Sequence, residues 1–195
     1  MKFAEVERRR LAETFLEVGP DAPTLCEGWT ALDLAVHLWV RENRLDAAAG
    51  MFIPFLEDRL KEVSEEVASR GFETVVKQWS KGPRFPMPVG VNSAEHFIHH
   101  EDVLRAQPGW DGPRELNESE EKELYGSLKV MSKGLLHDKK MPVVVEPTGF
   151  PRFVAVDKHG VAEKGDDVLR VSGPVGEIFM WAFGRKVYRG LVTSR

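Results

Sequence analysis

His37 and, far along the chain from it, Glu95 and His99 are of the types that bind a divalent cation. Glu95 and His99 stand four apart in the run Glu95-His96-Phe97-Ile98-His99-His100-Glu101-Asp102. On a helix both project from one face. Asp102, three further on, falls within the same arc, roughly 60° wide at ~3.6 residues per turn. Val91 and Ile98 flank that arc, and a carboxylate and an imidazole beside apolar neighbours are costly to bury unpaired. A metal ion satisfies both at once. His37 lies two turns past Thr30, on a face shared with Leu34 and Leu38, with Leu45 further along. Two nitrogens and one carboxylate oxygen suit zinc, with nickel, iron and manganese also compatible. Three protein ligands leave an open position, the pattern of a catalytic site.

Each of these residues also has a plainer role open to it. His37 and His99 would serve equally as ordinary core histidines, each bonded to one partner. Glu95 has the spacing of an Asn-x-x-Glu capping arrangement with Asn92. His96 and His100 point to the other side of the helix, as surface or structural residues. Glu101 has the i, i+4 spacing of a solvated pair with Arg105. Asp102 is either exposed or a group that orients a ligand histidine.

The elements that must position these residues are helical up to about residue 140. Ala4 to Val18 reads as a first helix, ended by Gly19-Pro20. Thr30 opens a second reaching about Ala49, with Thr30 and Asp33 spaced as a capping box. Phe52 to Ser69 and Phe72 to Trp79 follow as helices, then a proline-rich loop over residues 82–90 that excludes helix. Asn92 is expected to cap a helix running to about Ala106, and Glu118 to about Leu136 forms the last of this half. Beyond residue 140 the pattern changes to short β-branched runs at Met141–Glu146, Phe153–Val156 and Val168–Ser172. Turn residues at Lys158-His159-Gly160 and Gly165-Asp166-Asp167 separate them. A helix from Gly176 to Phe183, stopped by Gly184, and a last strand from Val187 to Val192 complete the order β-β-β-α-β. The expected architecture is α+β: a helical domain over residues 1–140, then a small α+β domain over 141–195.

Composition narrows the function. A hydrophobic content of 42% across 195 residues gives a chain able to bury a core. A net charge of -4 argues against a nucleic-acid partner. The charged first ten residues do not form the apolar core of a signal peptide, and no run approaches the roughly 18 apolar residues of a membrane span. A soluble cytoplasmic protein is expected. The single cysteine, Cys26, excludes an internal disulfide and a thiolate-rich zinc site. It sits in a connector with no histidine nearby in sequence, so a small buried apolar role is expected rather than that of a nucleophile.

The stretch Leu25-Cys26-Glu27-Gly28-Trp29-Thr30-Ala31-Leu32-Asp33-Leu34-Ala35-Val36-His37-Leu38 resembles the W-T-x-x-D-L-x-x-H-L signature of DinB-like bundles. More narrowly, it resembles the metal-binding domain of mycothiol-dependent maleylpyruvate isomerases. Glu95 to Asp102 is similar to that family's E-x-x-x-H-H-x-D helix, and Val171 to Arg185 to its closing G-x-x-x-E-L-x-x-x-x-x-G-R element. The resemblance implies an up-down four-helix bundle, zinc bound by His37, Glu95 and His99, and mycothiol as cosubstrate. It leaves the substrate open.

The function so implied is a zinc-dependent, thiol-using enzyme, an isomerase or S-transferase acting on a small electrophile. An open position on zinc would take the cosubstrate sulfur and stabilise its thiolate. Added to a conjugated double bond, the sulfur would permit rotation and leave; in a transferase it would stay attached. Arg41, Arg84 and Arg185 are candidates to hold acidic groups of substrate or cosubstrate by bidentate contacts, against the plainer reading of surface charges. The other class of function is a non-catalytic metal- or ligand-binding module, such as a sensor or regulatory partner.

Overall fold

The computed structural model describes residues 2–51, 53–83, 89–157, 160 and 167–195. The chain forms two compact units, Met1–Trp110 and Asp111–Arg195.

The first unit is helical: α1 Phe3–Val18, α2 Ala31–Asn43, the short α3 Leu45–Ala48, α4 Glu57–Ala68, α5 Phe72–Ser80 and α6 Val89–Arg105. α1 packs on α6 and α5, and α2 on α5 and α4. The fully buried Leu11, Phe15, Leu34, Leu38, Val67 and Trp79 fill the space between them. The expected capping box opens α2: the Thr30 hydroxyl accepts from the Asp33 amide, and the Asp33 carboxylate accepts from the Thr30 amide at 2.8 Å. This fixes where the helix starts, and therefore which way the side chain of His37 faces two turns later.

Three helix limits differ from expectation by more than two residues. α2 stops at Asn43, because Arg44 leaves helical dihedrals (φ -133°, ψ 75°) while its guanidinium grips Asp46 with two bonds. The chain then turns through α3 and two 3-10 turns, Ala49–Met51 and Pro54–Leu56. The expected third helix begins only at Glu57, since Pro54 opens one of these turns; Phe52 lies outside the described residues, as does most of the proline-rich loop. Finally, α6 starts at Val89, so Asn92 sits inside the helix rather than at its cap.

The second unit comprises α7 Glu118–Leu135, β1 Val143–Pro147, β2 Phe153–Val156, β3 Leu169–Gly173, α8 Val175–Ala182 and β4 Val192–Ser194. The sheet order is β2-β1-β3-β4, with β1 parallel to β3 and the outer pairs antiparallel. β-β-β-α-β is thus the observed order. Lys158, His159, Gly165 and Asp166 of the expected turns lie outside the described residues. The boundary falls at Trp110, not near residue 140. The break at Pro108-Gly109 is the physical reason: α7 belongs with the sheet, packing on α8 and β2 with Leu124 and Leu128 fully buried. Among the described residues no helix is long and apolar enough to cross a membrane.

Candidate metal centre

α6 uses its histidines on two faces. On one, His96 and His100 are buried against α1. His96 Nδ1 donates to the Ala4 carbonyl and Nε2 lies 2.8 Å from Glu42. His100 lies 2.9 Å from the Thr14 hydroxyl and 3.2 Å from Glu7. Arg8 completes this network, bonding Glu42 at 2.7 Å and the Trp79 carbonyl at 3.0 Å. Burial pushes the Glu42 carboxyl up, but the hydrogen bonds from His96 and Arg8 outweigh it and hold the group below the usual carboxylate range. These two histidines are therefore structural.

The other face carries Glu95, His99 and Asp102, and it meets His37 from α2. The rings of His37 and His99 lie 5.4 Å apart, and His99 Nε2 lies 3.4 Å from Glu95. One ligand atom from each of His37, Glu95 and His99 can be chosen such that all lie within 4.8 Å of one another. Two imidazole nitrogens and a carboxylate oxygen at that spacing fit a divalent transition metal, with zinc the best match to the donor types.

Asp102 was expected as either exposed or orienting; it is fully buried, and its Oδ2 accepts from His99 Nδ1 at 3.0 Å. In the neutral ring that bond places the proton on Nδ1 and leaves the Nε2 lone pair for a ligand. Cys26 was missed. Its sulfur donates to the same Asp102 oxygen at 3.2 Å and lies 3.9 Å from His99 Nδ1. Cys26, His99 and Asp102 form a second donor set of metal-binding type, on the opposite nitrogen of the same ring. The connector delivers Cys26 there through built contacts. The Leu25 amide donates to the Asp102 carbonyl, the Thr24 hydroxyl to the Trp29 carbonyl, and Gly28 takes the positive φ (77°) of the turn that follows. Nothing in the spacing of Cys26 reveals this contact, which spans 76 positions.

Charge in the site is uneven. Burial lowers the His37 pKa to about 4, helped by the neighbouring His99 and Arg41 and opposed by Glu95, so this imidazole is neutral and ready to coordinate. Burial pushes Glu95 up, but its bond with His99 and the charge of Arg41 outweigh it, bringing the carboxyl down to about 2. For His99, burial favours the neutral ring; the acceptors Asp102, Cys26 and Glu95 overcome it and raise the pKa well above the usual value.

The three arginines fall differently. Arg41 Nε lies 3.7 Å from Glu95, and its Nη1 donates to Asn92 at 2.9 Å. It braces the Glu95 carboxylate, and Asn92 holds Arg41 instead of capping Glu95's helix. Arg84 lies outside the described residues. Arg185 belongs to the second unit, where it donates to the Phe183 carbonyl at 3.2 Å. Glu101 and Arg105 do pair, at 2.7 Å, but both are buried rather than solvated.

Beside His37 opens a cavity of about 940 Å³, whose walls include Trp29, Val36, Met51, Ile53 and Leu60. Its size suits a small-molecule site. The Trp29 and His37 rings, 5.1 Å apart, mark where the cavity meets the cluster of His37, Glu95 and His99.

A helical unit with a His-Glu-His face and a second unit built on a mixed sheet define the class: an α+β protein. Two solved structures carry the likeness over nearly the whole chain. One is a crystal structure of the mycothiol-dependent maleylpyruvate isomerase, at TM-score 0.56 and 16% identity, covering 98% of this chain and 90% of that one. The other is a histidine-to-alanine variant of such an isomerase, at TM-score 0.52 and 18% identity, with the same coverage of 98% and 90%. At these identities the likeness is one of fold. No family model matches the sequence, and no curated protein matches it.

Proposed function

We propose that the chain is a metal-dependent, thiol-using enzyme of the cytoplasm, an isomerase or S-transferase acting on a small electrophile. The observation that carries this reading is the convergence of His37, Glu95 and His99 with all ligand atoms within 4.8 Å, beside a cavity that includes His37. The fold shared with a mycothiol-dependent isomerase supports mycothiol as the cosubstrate. His37, Glu95 and His99 would hold the ion, with zinc preferred by donor type. Once bound, such an ion would supply a position where a thiol is held as its thiolate near neutral pH.

The chain's own residues do the rest. Asp102 accepts the hydrogen bond of His99 Nδ1–H and so fixes the tautomer and ring orientation. Arg41, anchored on Asn92, holds the Glu95 carboxylate ionised and in place. The apolar walls at Val36, Met51, Ile53 and Leu60 keep water away from a bound electrophile on that side. The cosubstrate thiolate would add to a double bond conjugated to a carbonyl, the π pair moving onto the carbonyl as an enolate. If the double bond re-forms after rotation and expels the thiolate, the reaction is an isomerisation; if the enolate instead takes a proton from water, the sulfur stays and the reaction is a transfer.

The test is a conjugation and isomerisation assay of the zinc-loaded chain with mycothiol and a panel of conjugated electrophiles. Activity that falls on chelation and returns with zinc is expected. A fully loaded chain that turns over no thiol would leave the donor set as a non-catalytic module.

A further inference from the structure

The far nitrogen of His99 faces a donor set of its own. Cys26 Sγ and His99 Nδ1 stand 3.2 and 3.0 Å from the same oxygen, Asp102 Oδ2, and 3.9 Å from each other. The point equidistant from the three atoms, fixed by those three sides, lies about 2.0 Å from each. Zinc sits about 2.0–2.2 Å from nitrogen and oxygen ligands and about 2.3 Å from sulfur. Thiol and imidazole both donate to the one oxygen, so their hydrogens lie between the three atoms. Once both protons are gone, three donor atoms face the space they held. The set is held by the fold: the Leu25 amide donates to the Asp102 carbonyl at 3.0 Å, and the Cys26 amide to the Thr24 hydroxyl at 3.2 Å. Asp102 is fully buried and Cys26 half-buried. Ligands positioned in this way before an ion arrives lose little freedom on binding it.

We propose that Cys26, Asp102 and His99 Nδ1 form a second site, for a zinc-class divalent cation, with the His99 ring shared between the two sites. The second site uses neither His37 nor Glu95, so it stands apart from the enzyme reading. On binding, the Cys26 thiol and His99 Nδ1–H each lose a proton to solvent. The ion takes the freed sulfur and nitrogen lone pairs and one from Asp102. With the first ion on Nε2, the ring becomes an imidazolate bridge. Two dications are then matched by four negative ligands, Glu95, Asp102, the Cys26 thiolate and the ring, which offsets their mutual repulsion. The second ion is the weaker one, because two protons must leave, and gel filtration removes it. Filling this site withdraws the hydrogen bond that sets the His99 tautomer, so excess metal acts here on the first centre.

Cobalt(II) tests this on the zinc-loaded chain, since it binds such donors less tightly than zinc and leaves the first site filled. Cys26 is the single cysteine, so a thiolate-to-cobalt charge-transfer band reports its sulfur alone. The band is expected to saturate at about one cobalt per chain with zinc content unchanged. Asp102→Asn is expected to need at least about tenfold more cobalt for the same band. In Cys26→Ser, calorimetry is expected to show at least about tenfold weaker cobalt binding with zinc retained. No band, a band of unchanged affinity in Asp102→Asn, or cobalt replacing zinc one for one would overturn the inference. If the chain holds no zinc, the proposed function fails by itself, and the same titration of the unloaded chain still decides the second site: the Asp102-dependent band supports it and its absence overturns it.

Discussion

Asp102 Oδ2 stands 3.0 Å from His99 Nδ1 inside the fold, with no solvent access. A buried carboxylate bonded to the far nitrogen of an imidazole settles which nitrogen is left to bind an ion. Asp102→Asn removes the charge and the tautomer preference while keeping the shape. Its metal affinity is expected to fall about 10–100-fold, measured by competition with a chelator. Unchanged affinity would mean that Asp102 serves packing alone.

The opposite face of α6 predicts a different phenotype. His96 and His100 lie in buried networks with Glu42, Arg8, Glu7 and Thr14. His96→Ala takes one partner from the buried Glu42 carboxylate, which keeps Arg8, at an expected cost of about 1–3 kcal/mol. His100→Ala is expected to cost about 1–3 kcal/mol. Both variants should bind metal normally at temperatures where they remain folded. Denaturant unfolding combined with metal analysis separates these residues from His37, Glu95 and His99.

Metal binding should release protons in a defined window. His37, with its pKa near 4, is already neutral at pH 7, and Glu95, near 2, is already ionised. His99, raised well above the usual value, is the group that must give up a proton. Affinity should therefore rise with pH through neutrality, with close to one proton released per ion near pH 6.5, read from calorimetry in buffers of different ionisation enthalpy. The metal-free chain should behave otherwise. His37 binds fewer protons folded than unfolded between about pH 4 and 6.5, so stability falls as pH drops through that window. His99 binds more protons folded than unfolded above 6.5, so stability falls as pH rises toward its folded pKa. Stability of the metal-free chain should peak near pH 6.5, and zinc should shift the peak upward.

Gly50 supports the cavity wall. A β-carbon at this position would sit 2.5 Å from the Leu56 carbonyl oxygen and 2.9 Å from Leu60 Cβ. Gly50→Ala must push apart the turn and the start of α4, at a cost of about 1–3 kcal/mol typical of overpacking. Thermal unfolding should show it, and affinity for apolar ligands at the cavity should drop, while metal content stays at the unmodified level.

Much of this was legible in the residues. The Thr30-Asp33 box, the i, i+4 spacing of Glu95 and His99 and the β-branched runs after residue 140 are local signals, and the helices and strands follow them closely. What failed was set by distant contacts. The expected domain boundary ignored that Leu124 and Leu128 of α7 would find their cover on the sheet side of Pro108-Gly109. Glu101 and Arg105 looked solvated because an i, i+4 ion pair has the same spacing whether exposed or buried. Cys26 carried no signal, since its partner Asp102 comes near only when the connector folds back on α6. Asp102 itself was visible as a position on the right arc; its burial was not.

The account stands on one ion being held by His37, Glu95 and His99. Elemental analysis of the purified chain after zinc supplementation and gel filtration tests that directly. About one equivalent per chain is expected, falling to background in His37→Ala and His99→Ala while each variant remains folded. Less than about a tenth of an equivalent of any transition metal in the unmodified chain would contradict the account and return both histidines to ordinary places in a helical core.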